Sequence, residues 1–235
     1  MGEQQAEGMR ILVVEDELGV AEVVRELATV LGHRARLVAT AEAGLSVLAS
    51  DPFDAVLLDL LLPRMTGLDF LKSGIVRDCG IPVIGYSGVA TEAQVRATLQ
   101  LGAVDVLEKP VPVELMREML DYVRLHAASQ RNGVDRRRSP RPQLAVPVKV
   151  FEYDQPEWVA TSIDLSIFGI RIRGQAPRMA GRLVKLWFTP PDGGSDVQVL
   201  ALPVWRDAST HAFRFVNLSM PTYERLRHVV WRLAA

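Results

Sequence analysis

Residues 10–17 have the sequence RILVVEDE, in which a short run of branched apolar residues ends in three consecutive acids. A run of this length and composition is typical of a buried strand in a parallel sheet. Apolar residues then recur at helical spacing as far as Leu31, and Gly32 follows as a helix-ending residue. The segment therefore predicts a strand and a helix joined by an acidic turn.

The same alternation of strand and helix continues through the first half of the chain. Further strands are predicted near 37–39, 53–58, 81–86 and 104–107, and further helices near 41–50, 67–77, 92–100 and 113–123. Five strands alternating with five helices predict a doubly wound α/β fold, in which helices cover both faces of a five-stranded parallel sheet. Functional groups in such sheets gather beyond the carboxyl ends of the strands.

Polar residues stand at the ends of four of these strands. They are Glu15 and Asp16 after the first strand, Asp59 after the third, Ser87 after the fourth and Lys109 after the fifth. Converging carboxylates repel one another unless a cation neutralises them, and oxygen ligands favour Mg²⁺. A lysine and a hydroxyl beside them suit an anion, and a carboxylate near a metal can accept a phosphoryl group. Each residue alone is also explained as a strand-end cap or a solvated charge, but the five together favour a site.

Four segments resemble the receiver domains of bacterial two-component response regulators, over about residues 9–127. The segments are 11–17, 59–67, 82–88 and the stretch from Gly102-Ala103 to Lys109-Pro110. The resemblance implies a flavodoxin-like receiver domain at 9–128, whose Asp59 accepts a phosphoryl group from a histidine kinase. It also implies that the Mg²⁺ ligands are Glu15, Asp16, Asp59 and the Leu61 carbonyl. Ser87 and Lys109 would contact the phosphoryl group, and the Lys109–Pro110 peptide would be cis.

The chain departs from this family at Val106. Response regulators usually carry Tyr or Phe three residues before the lysine, where the ring acts as a rotameric switch. The usual aromatic route of signal transmission is therefore in question. A receiver that serves as a non-phosphorylated docking scaffold is the alternative.

Charge divides the chain into two parts. Residues 1–128 hold 11 Lys and Arg against 19 Asp and Glu, a net charge of −8, and residues 129–235 hold 16 against 9, a net charge of +7. Of those 16 basic residues 14 are Arg, whose planar fork suits phosphates and guanine edges. This asymmetry predicts two units, the second with an anionic partner, although a basic face that complements an acidic neighbour explains the charge equally well.

A linker and a β-rich domain are predicted in the basic half. Residues 129–142 carry four arginines in six positions and two prolines, which predicts a linker and an arginine arm. From Leu144 the hydrophobic period is two, and strands are predicted at 144–150, 158–165, 169–173, 182–188, 197–206 and 212–216. A helix is predicted at 221–233. This pattern predicts a small antiparallel β-barrel with a C-terminal helix at 143–235.

Two motifs in this half resemble the PilZ domain, the cyclic di-GMP receptor module, over about residues 135–235. Arg137 and Arg141 have the spacing Arg-x-x-x-Arg, and Asp164, Ser166 and Gly169 form the pattern Asp-x-Ser-x-x-Gly. The resemblance implies that these five residues bind cyclic di-GMP. Arg136 and Arg138 would permit a stacked pair of ligand molecules, and Trp205 would stack on guanine. Alternatively, the arginines are a solvated linker, the second motif is a turn and Trp205 is a barrel residue.

The sequence favours a signalling protein with two inputs. A histidine kinase would phosphorylate Asp59, cyclic di-GMP would bind and order residues 135–142, and the coupled signals would act on an unknown protein target. The alternatives are the docking scaffold and a degenerate PilZ domain that signals through protein contacts. A DNA-binding regulator is not expected because the second half predicts no helix–turn–helix. An enzyme is not expected because no His, Cys or Ser nucleophile has a visible base.

Composition places the chain among globular proteins without disulfides. Its single cysteine, Cys79, cannot form an internal disulfide. The N-terminus lacks the basic and apolar regions of a signal peptide, and no apolar stretch approaches the ~20 residues of a membrane span. We therefore expect a cytoplasmic protein without a membrane span. A homodimer through exposed helices stays open.

Overall fold

A computed structural model describes residues 8–132, 140–153, 155–175, 183–207 and 209–234, with the side chains of 125–132 excepted. The chain divides into two compact units, Met1–Asp135 and Arg136–Ala235. The predicted contacts of Arg136, Arg137 and Arg138 with cyclic di-GMP lie outside the described residues. In the described part of the chain, no helix has both the length and the apolar character that crossing a membrane requires.

The first unit is built on a five-stranded parallel sheet with the strand order β2-β1-β3-β4-β5. The strands are β1 (Arg10–Val14), β2 (Arg34–Val38), β3 (Ala55–Asp59), β4 (Val83–Ser87) and β5 (Asp105–Glu108). The helices are α1 (Leu18–Val30), α2 (Ala41–Ser50), α3 (Gly67–Lys72), α4 (Gly74–Cys79), α5 (Glu92–Gln100) and α6 (Val113–Asn132). This strand order is that of flavodoxin-like sheets, and the predicted doubly wound fold is confirmed.

The central strands are buried along almost their whole length. All five residues of β3 and of β4 are buried, as are the last four of β1. Strands covered on both faces read as continuous apolar runs, which explains why their sequences predict them well. A close approach fixes the end of β3, because a Cβ at Gly67 would meet the Asp59 carbonyl oxygen at 2.6 Å. Gly67 thus allows α3 to begin directly against the strand that carries Asp59.

The predicted helix at 67–77 is in fact two helices. Ser73 has φ −60° and ψ 137°, an extended conformation that ends α3 and precedes α4. Serine and glycine are weak helix formers, and they are adjacent here as Ser73-Gly74. The first unit therefore has six helices within the described residues rather than the five predicted.

The last helix of this unit is longer than its sequence predicts. Helix α6 continues to Asn132, so residues 129–132, which the sequence assigns to the linker, are helical. The limits 9–128, 129–142 and 143–235 stay predictions of where the domains and the linker lie.

The second unit is a closed antiparallel barrel with the strand order β10-β11-β8-β7-β6-β9. The strands are β6 (Pro147–Glu152), β7 (Trp158–Ser166), β8 (Gly169–Arg173), β9 (Val184–Phe188), β10 (Val197–Arg206) and β11 (Thr210–Val216), and the helix α7 (Met220–Ala234) follows. Alternate residues such as Val148, Val150, Leu186 and Phe188 are buried in its core. The predicted barrel with a C-terminal helix is confirmed.

An ion pair ties α7 to the turn between β9 and β10. Two nitrogens of Arg225 donate to the two carboxylate oxygens of Asp192 at 2.5 and 2.6 Å, and Nε donates to the Ser195 carbonyl at 3.0 Å. The Asp192 side chain is only 6% exposed, so a carboxylate without this partner would be costly to bury. The pair therefore holds the helix against the barrel.

We expect the second unit to lose stability as the pH falls below about 4. The hydrogen bonds and the charge of Arg225 hold the pKa of Asp192 well below its usual range. Since an unfolded Asp has a pKa of about 3.9, the stabilisation is complete above that pH and is lost as the pH falls towards the lower folded-state pKa. All four tryptophans lie in this unit, so denaturant unfolding followed by tryptophan fluorescence measures it. Asp192→Asn should weaken the pH dependence, and an unchanged dependence would contradict this explanation.

Candidate functional site

Three carboxylates meet at the ends of β1 and β3. Glu15 and Asp16 directly follow β1, and Asp59 is the last residue of β3. One oxygen from each of the three lies within 4.8 Å of the others. The two strands are parallel neighbours, so their carboxyl ends reach the same edge of the sheet. The structure thus brings together the acids that the sequence places at strand ends.

Lys109 lies between two of these carboxylates. Its Nζ is 2.6 Å from Glu15 Oε2 and 2.7 Å from Asp59 Oδ2. Burial alone would lower the pKa of Lys109, but the hydrogen bonds and the negative charges of Asp59 and Glu15 outweigh burial and raise the pKa. The ammonium group therefore stays charged and forms an ion pair with both buried acids, and its single positive charge balances one of the two carboxylates. The peptide between Lys109 and Pro110 is cis.

Ser87 and Leu61 lie beside the acidic site. The Leu61 amide donates to Asp59 Oδ1 at 2.8 Å, which orients that carboxylate. Ser87 is buried at the end of β4, where its Oγ accepts from the Val89 amide at 3.4 Å and its carbonyl accepts from the Lys109 amide at 2.9 Å. The backbone of Lys109 is therefore fixed to the strand next to the one that carries Asp59.

The three carboxylates fit a hard divalent cation. They supply the oxygen ligands that Mg²⁺ prefers. Glu15 and Asp59 are buried whereas Asp16 is exposed, so a cation would relieve the cost of the buried charges and remain accessible. Glu15, Asp16 and Asp59 are thus the residues that could hold Mg²⁺, and the Leu61 carbonyl as a fourth ligand stays a prediction.

Tyr86 also contacts this site, although the sequence did not identify it. Its hydroxyl donates to Glu15 Oε2 at 2.6 Å, and Lys109 Nζ lies 4.3 Å from its ring centroid. Burial and the hydrogen bond to Glu15 raise the pKa of Tyr86 far above its usual value. The hydroxyl therefore stays protonated and can act as a donor.

Val106 is fully buried on β5 and pairs with Gly85 of β4. The position at which response regulators usually carry an aromatic switch is thus filled by a small apolar side chain of the core. Nothing at this position could swing between buried and exposed orientations as a large ring does.

A second polar cluster lies on the barrel around Asp164. This β7 residue is buried, and Arg141 Nη1 donates to its Oδ1 at 3.2 Å. On the other side, Arg171 of β8 donates to Oδ2 through Nε at 2.5 Å and through Nη2. Asp164 is therefore held between two guanidinium groups, of which the sequence identified only Arg141.

Ser166 and Gly169 shape the turn between β7 and β8. Ser166 Oγ donates to the Gly169 carbonyl at 3.1 Å. A Cβ on Gly169 would meet the Phe213 carbonyl oxygen at 2.4 Å, so only glycine allows β11 to approach this closely. In this structure both residues maintain the turn that presents Asp164.

Trp205 lies in the same cross-strand row as Asp164. The registers pair Asp164 with Arg171, Arg171 with Ala212, and Ala212 with Trp205. Directly paired residues point to the same face, and Trp205 is 53% exposed, so its side chain is outside the barrel. Three strand spacings of about 4.8 Å give the row a length of about 14 Å.

Comparisons with known proteins find matches in both units. The family model of the response regulator receiver domain matches residues 11–121, and that of the PilZ domain matches residues 135–231. The transcriptional regulatory protein DltR of Streptococcus agalactiae is 35% identical over 119 residues, which are 50% of this chain and 51% of DltR. The sensory/regulatory protein RpfC of Xanthomonas campestris is 36% identical over 127 residues, which are 52% of this chain and 17% of RpfC.

A solved structure is similar in fold to about half of this chain. The crystal structure of NtrX from Brucella abortus matches with a TM-score of 0.50 and 25% identity, and the match covers 54% of this chain and 29% of NtrX. The chain thus spans about half of the length of DltR and less than a third of the lengths of RpfC and NtrX. The matches to whole proteins cover about half of this chain, so they bear on a single domain.

Proposed function

Because this chain joins a response regulator receiver domain to a PilZ domain, we propose that it accepts a phosphoryl group on Asp59 and binds cyclic di-GMP on its barrel. The observation that carries the first part is the position of Asp59, which is buried, hydrogen-bonded to Lys109 and next to two further acids. A histidine kinase is the proposed phosphoryl donor. The downstream target is a protein that recognises one or both states of the chain.

The acidic site has the parts that phosphoryl transfer needs. An Asp59 oxygen attacks the phosphorus of a phosphohistidine, the new O–P bond forms as the P–N bond breaks, and the electron pair returns to the imidazole nitrogen. Mg²⁺ bound by Glu15, Asp16 and Asp59 would supply positive charge against the phosphoryl oxygens. Lys109 Nζ lies 2.7 Å from the attacking Asp59 carboxylate, within reach of the phosphoryl group once it is bound there. Ser87 is the proposed hydroxyl donor to the same group.

The cluster around Asp164 supports cyclic di-GMP as the second ligand. A guanine offers N–H donors to a carboxylate and acceptors to an arginine, and its phosphates suit guanidinium forks. Arg141 already contacts Asp164, and Arg137 would add a second fork from the arm. Trp205 is the proposed stacking platform at the far end of the row. Arg171 belongs to this site because it contacts the same carboxylate.

We expect the two ligands to influence each other. Calorimetric titration of the intact chain with cyclic di-GMP, with and without beryllofluoride as a phosphoryl mimic, should give affinities that differ about 5-fold or more, a typical allosteric coupling. Coupling is reciprocal, so the nucleotide should change the affinity for beryllofluoride by the same factor. Equal nucleotide affinities would refute the coupling and leave both binding proposals standing. An intact chain that binds no cyclic di-GMP would mean that its PilZ domain signals through protein contacts.

A docking scaffold is the second candidate for the receiver domain. It is favoured by Val106, which leaves the usual switch position without an aromatic ring. In that case the receiver would bind a partner in one state only. Failure of acetyl phosphate and Mg²⁺ to modify Asp59 would favour the scaffold.

A further inference from the structure

Tyr86 supports the acidic site from within the sheet. It is 1% exposed on β4, and it pairs in register with Asp59 of β3. A buried tyrosine hydroxyl needs a partner, and here that partner is the Glu15 carboxylate at 2.6 Å. A phenylalanine ring would fill the same space without this hydrogen bond. Packing therefore accounts for the ring of Tyr86, and the contact with Glu15 accounts for its hydroxyl.

The Glu15 carboxylate is held by three donors. Tyr86 and Lys109 both donate to Oε2 at 2.6 Å, and the Glu17 amide donates to Oε1 at 3.1 Å. Lys109 also binds Asp59, and the proposed function requires its ammonium group to engage the phosphoryl group. Once that happens, Tyr86 is the side-chain donor that continues to hold Oε2.

We propose that Tyr86 is a positioning residue that keeps Glu15 directed at a divalent cation, most of all when a phosphoryl group draws Lys109 away. The proposal rests on the phosphoryl-accepting function proposed for Asp59. Partners of this kind, which orient a metal ligand without touching the metal, typically change metal affinity 10–100-fold when they are removed. The effect should be larger in the phosphorylated state because the remaining donors are then fewer.

The test is the affinity of the intact chain for Mn²⁺, which also prefers carboxylate ligands. Free Mn²⁺ is measured by its electron paramagnetic resonance signal, with and without beryllofluoride. Tyr86→Phe should weaken Mn²⁺ binding about 10-fold with beryllofluoride and less without it. The matched control is Tyr223→Phe, which removes the hydroxyl of another buried tyrosine, on α7 of the second unit, and should leave the affinity unchanged.

A second variant pair separates positioning from a general loss of structure. In a Glu15→Gln background the carboxylate that Tyr86 holds is gone, so adding Tyr86→Phe should weaken Mn²⁺ binding no further. If Tyr86→Phe weakens Mn²⁺ binding equally in the wild-type and Glu15→Gln backgrounds, the proposal is overturned. It is also overturned if the Tyr86→Phe variant binds Mn²⁺ with wild-type affinity in the presence of beryllofluoride.

Failure of the positioning by Tyr86 can be distinguished from failure of the proposed function. Mn²⁺ bound at the acidic site should be lost when the exposed Asp16 is replaced by asparagine. If the wild-type chain and this variant bind Mn²⁺ equally, or if neither binds it, the cation site is absent and both proposals are overturned together. If the wild-type site binds Mn²⁺ and Tyr86→Phe leaves it unchanged, only the positioning by Tyr86 is overturned.

Discussion

Phosphoryl transfer to this chain should stop when Asp59 is replaced by asparagine and should slow about 100-fold when Lys109 is replaced by glutamine. Asparagine removes the carboxylate oxygen that attacks phosphorus. Glutamine removes the positive charge that lies 2.7 Å from the attacking carboxylate, and preorganised charge of this kind is typically worth a factor of 10²–10³ in rate. The measurement is the fraction of intact chain that acetyl phosphate and Mg²⁺ shift on a Phos-tag gel over time.

Asp54→Asn is a matched control for this experiment. Asp54 is exposed and directly precedes β3, so it lies at the opposite end of the strand that ends with Asp59. The same chemical change there should leave the rate of modification unaltered. Modification that persists in Asp59→Asn would place the acceptor on another residue. An unaltered rate in Lys109→Gln would show that the ammonium group takes no part in the transfer.

The parallel sheet could be predicted from sequence because its central strands are buried on both faces. Continuous apolar runs such as 55–58 leave little ambiguity, and parallel topology then requires the residues after them to converge. The break at Ser73 was missed because the buried residues Phe70, Leu71 and Val76 lie on both sides of it. Apolar spacing alone suggests one helix there, and the weak helix formers Ser73-Gly74 were the available local signal.

Two side chains that contact the sites were missed for different reasons. Tyr86 lies within the apolar run that predicts β4, and an aromatic residue there looks like part of the core. Arg171 lies in the alternating sequence GIRIR, which is typical of a strand with one solvated face. Its contact with Asp164 depends on the register between β7 and β8, and that register includes a shift between Ser162 and Asp164. Register of this kind is set by packing and turn geometry rather than by residue pattern.

Cyclic di-GMP binding should weaken at least about 100-fold in an Arg137→Ala/Arg141→Ala double variant. Arg141 lies against the buried carboxylate of Asp164, so it can reach a guanine or a phosphate bound there. Hydrogen bonds to charged groups are each worth about 1.5–3 kcal/mol, and a factor of ten in affinity corresponds to about 1.4 kcal/mol. Loss of two such guanidinium groups therefore accounts for the expected fall in affinity. Calorimetric titration of the intact chain with cyclic di-GMP measures it.

The control must remove the same charge elsewhere on the same unit, because a basic surface attracts an anionic nucleotide without any specific site. Arg227→Ala/Arg232→Ala meets this condition, since both residues lie on α7 and lack a contact with Asp164 among the described residues. If the site is specific, this variant should bind within about 3-fold of the wild type, as expected for loss of distant screened charges. Equal losses in the two double variants would mean that the nucleotide recognises net charge alone. A specific site around Asp164 is supported only if the affinity for cyclic di-GMP falls in the Arg137→Ala/Arg141→Ala variant and not in the control variant.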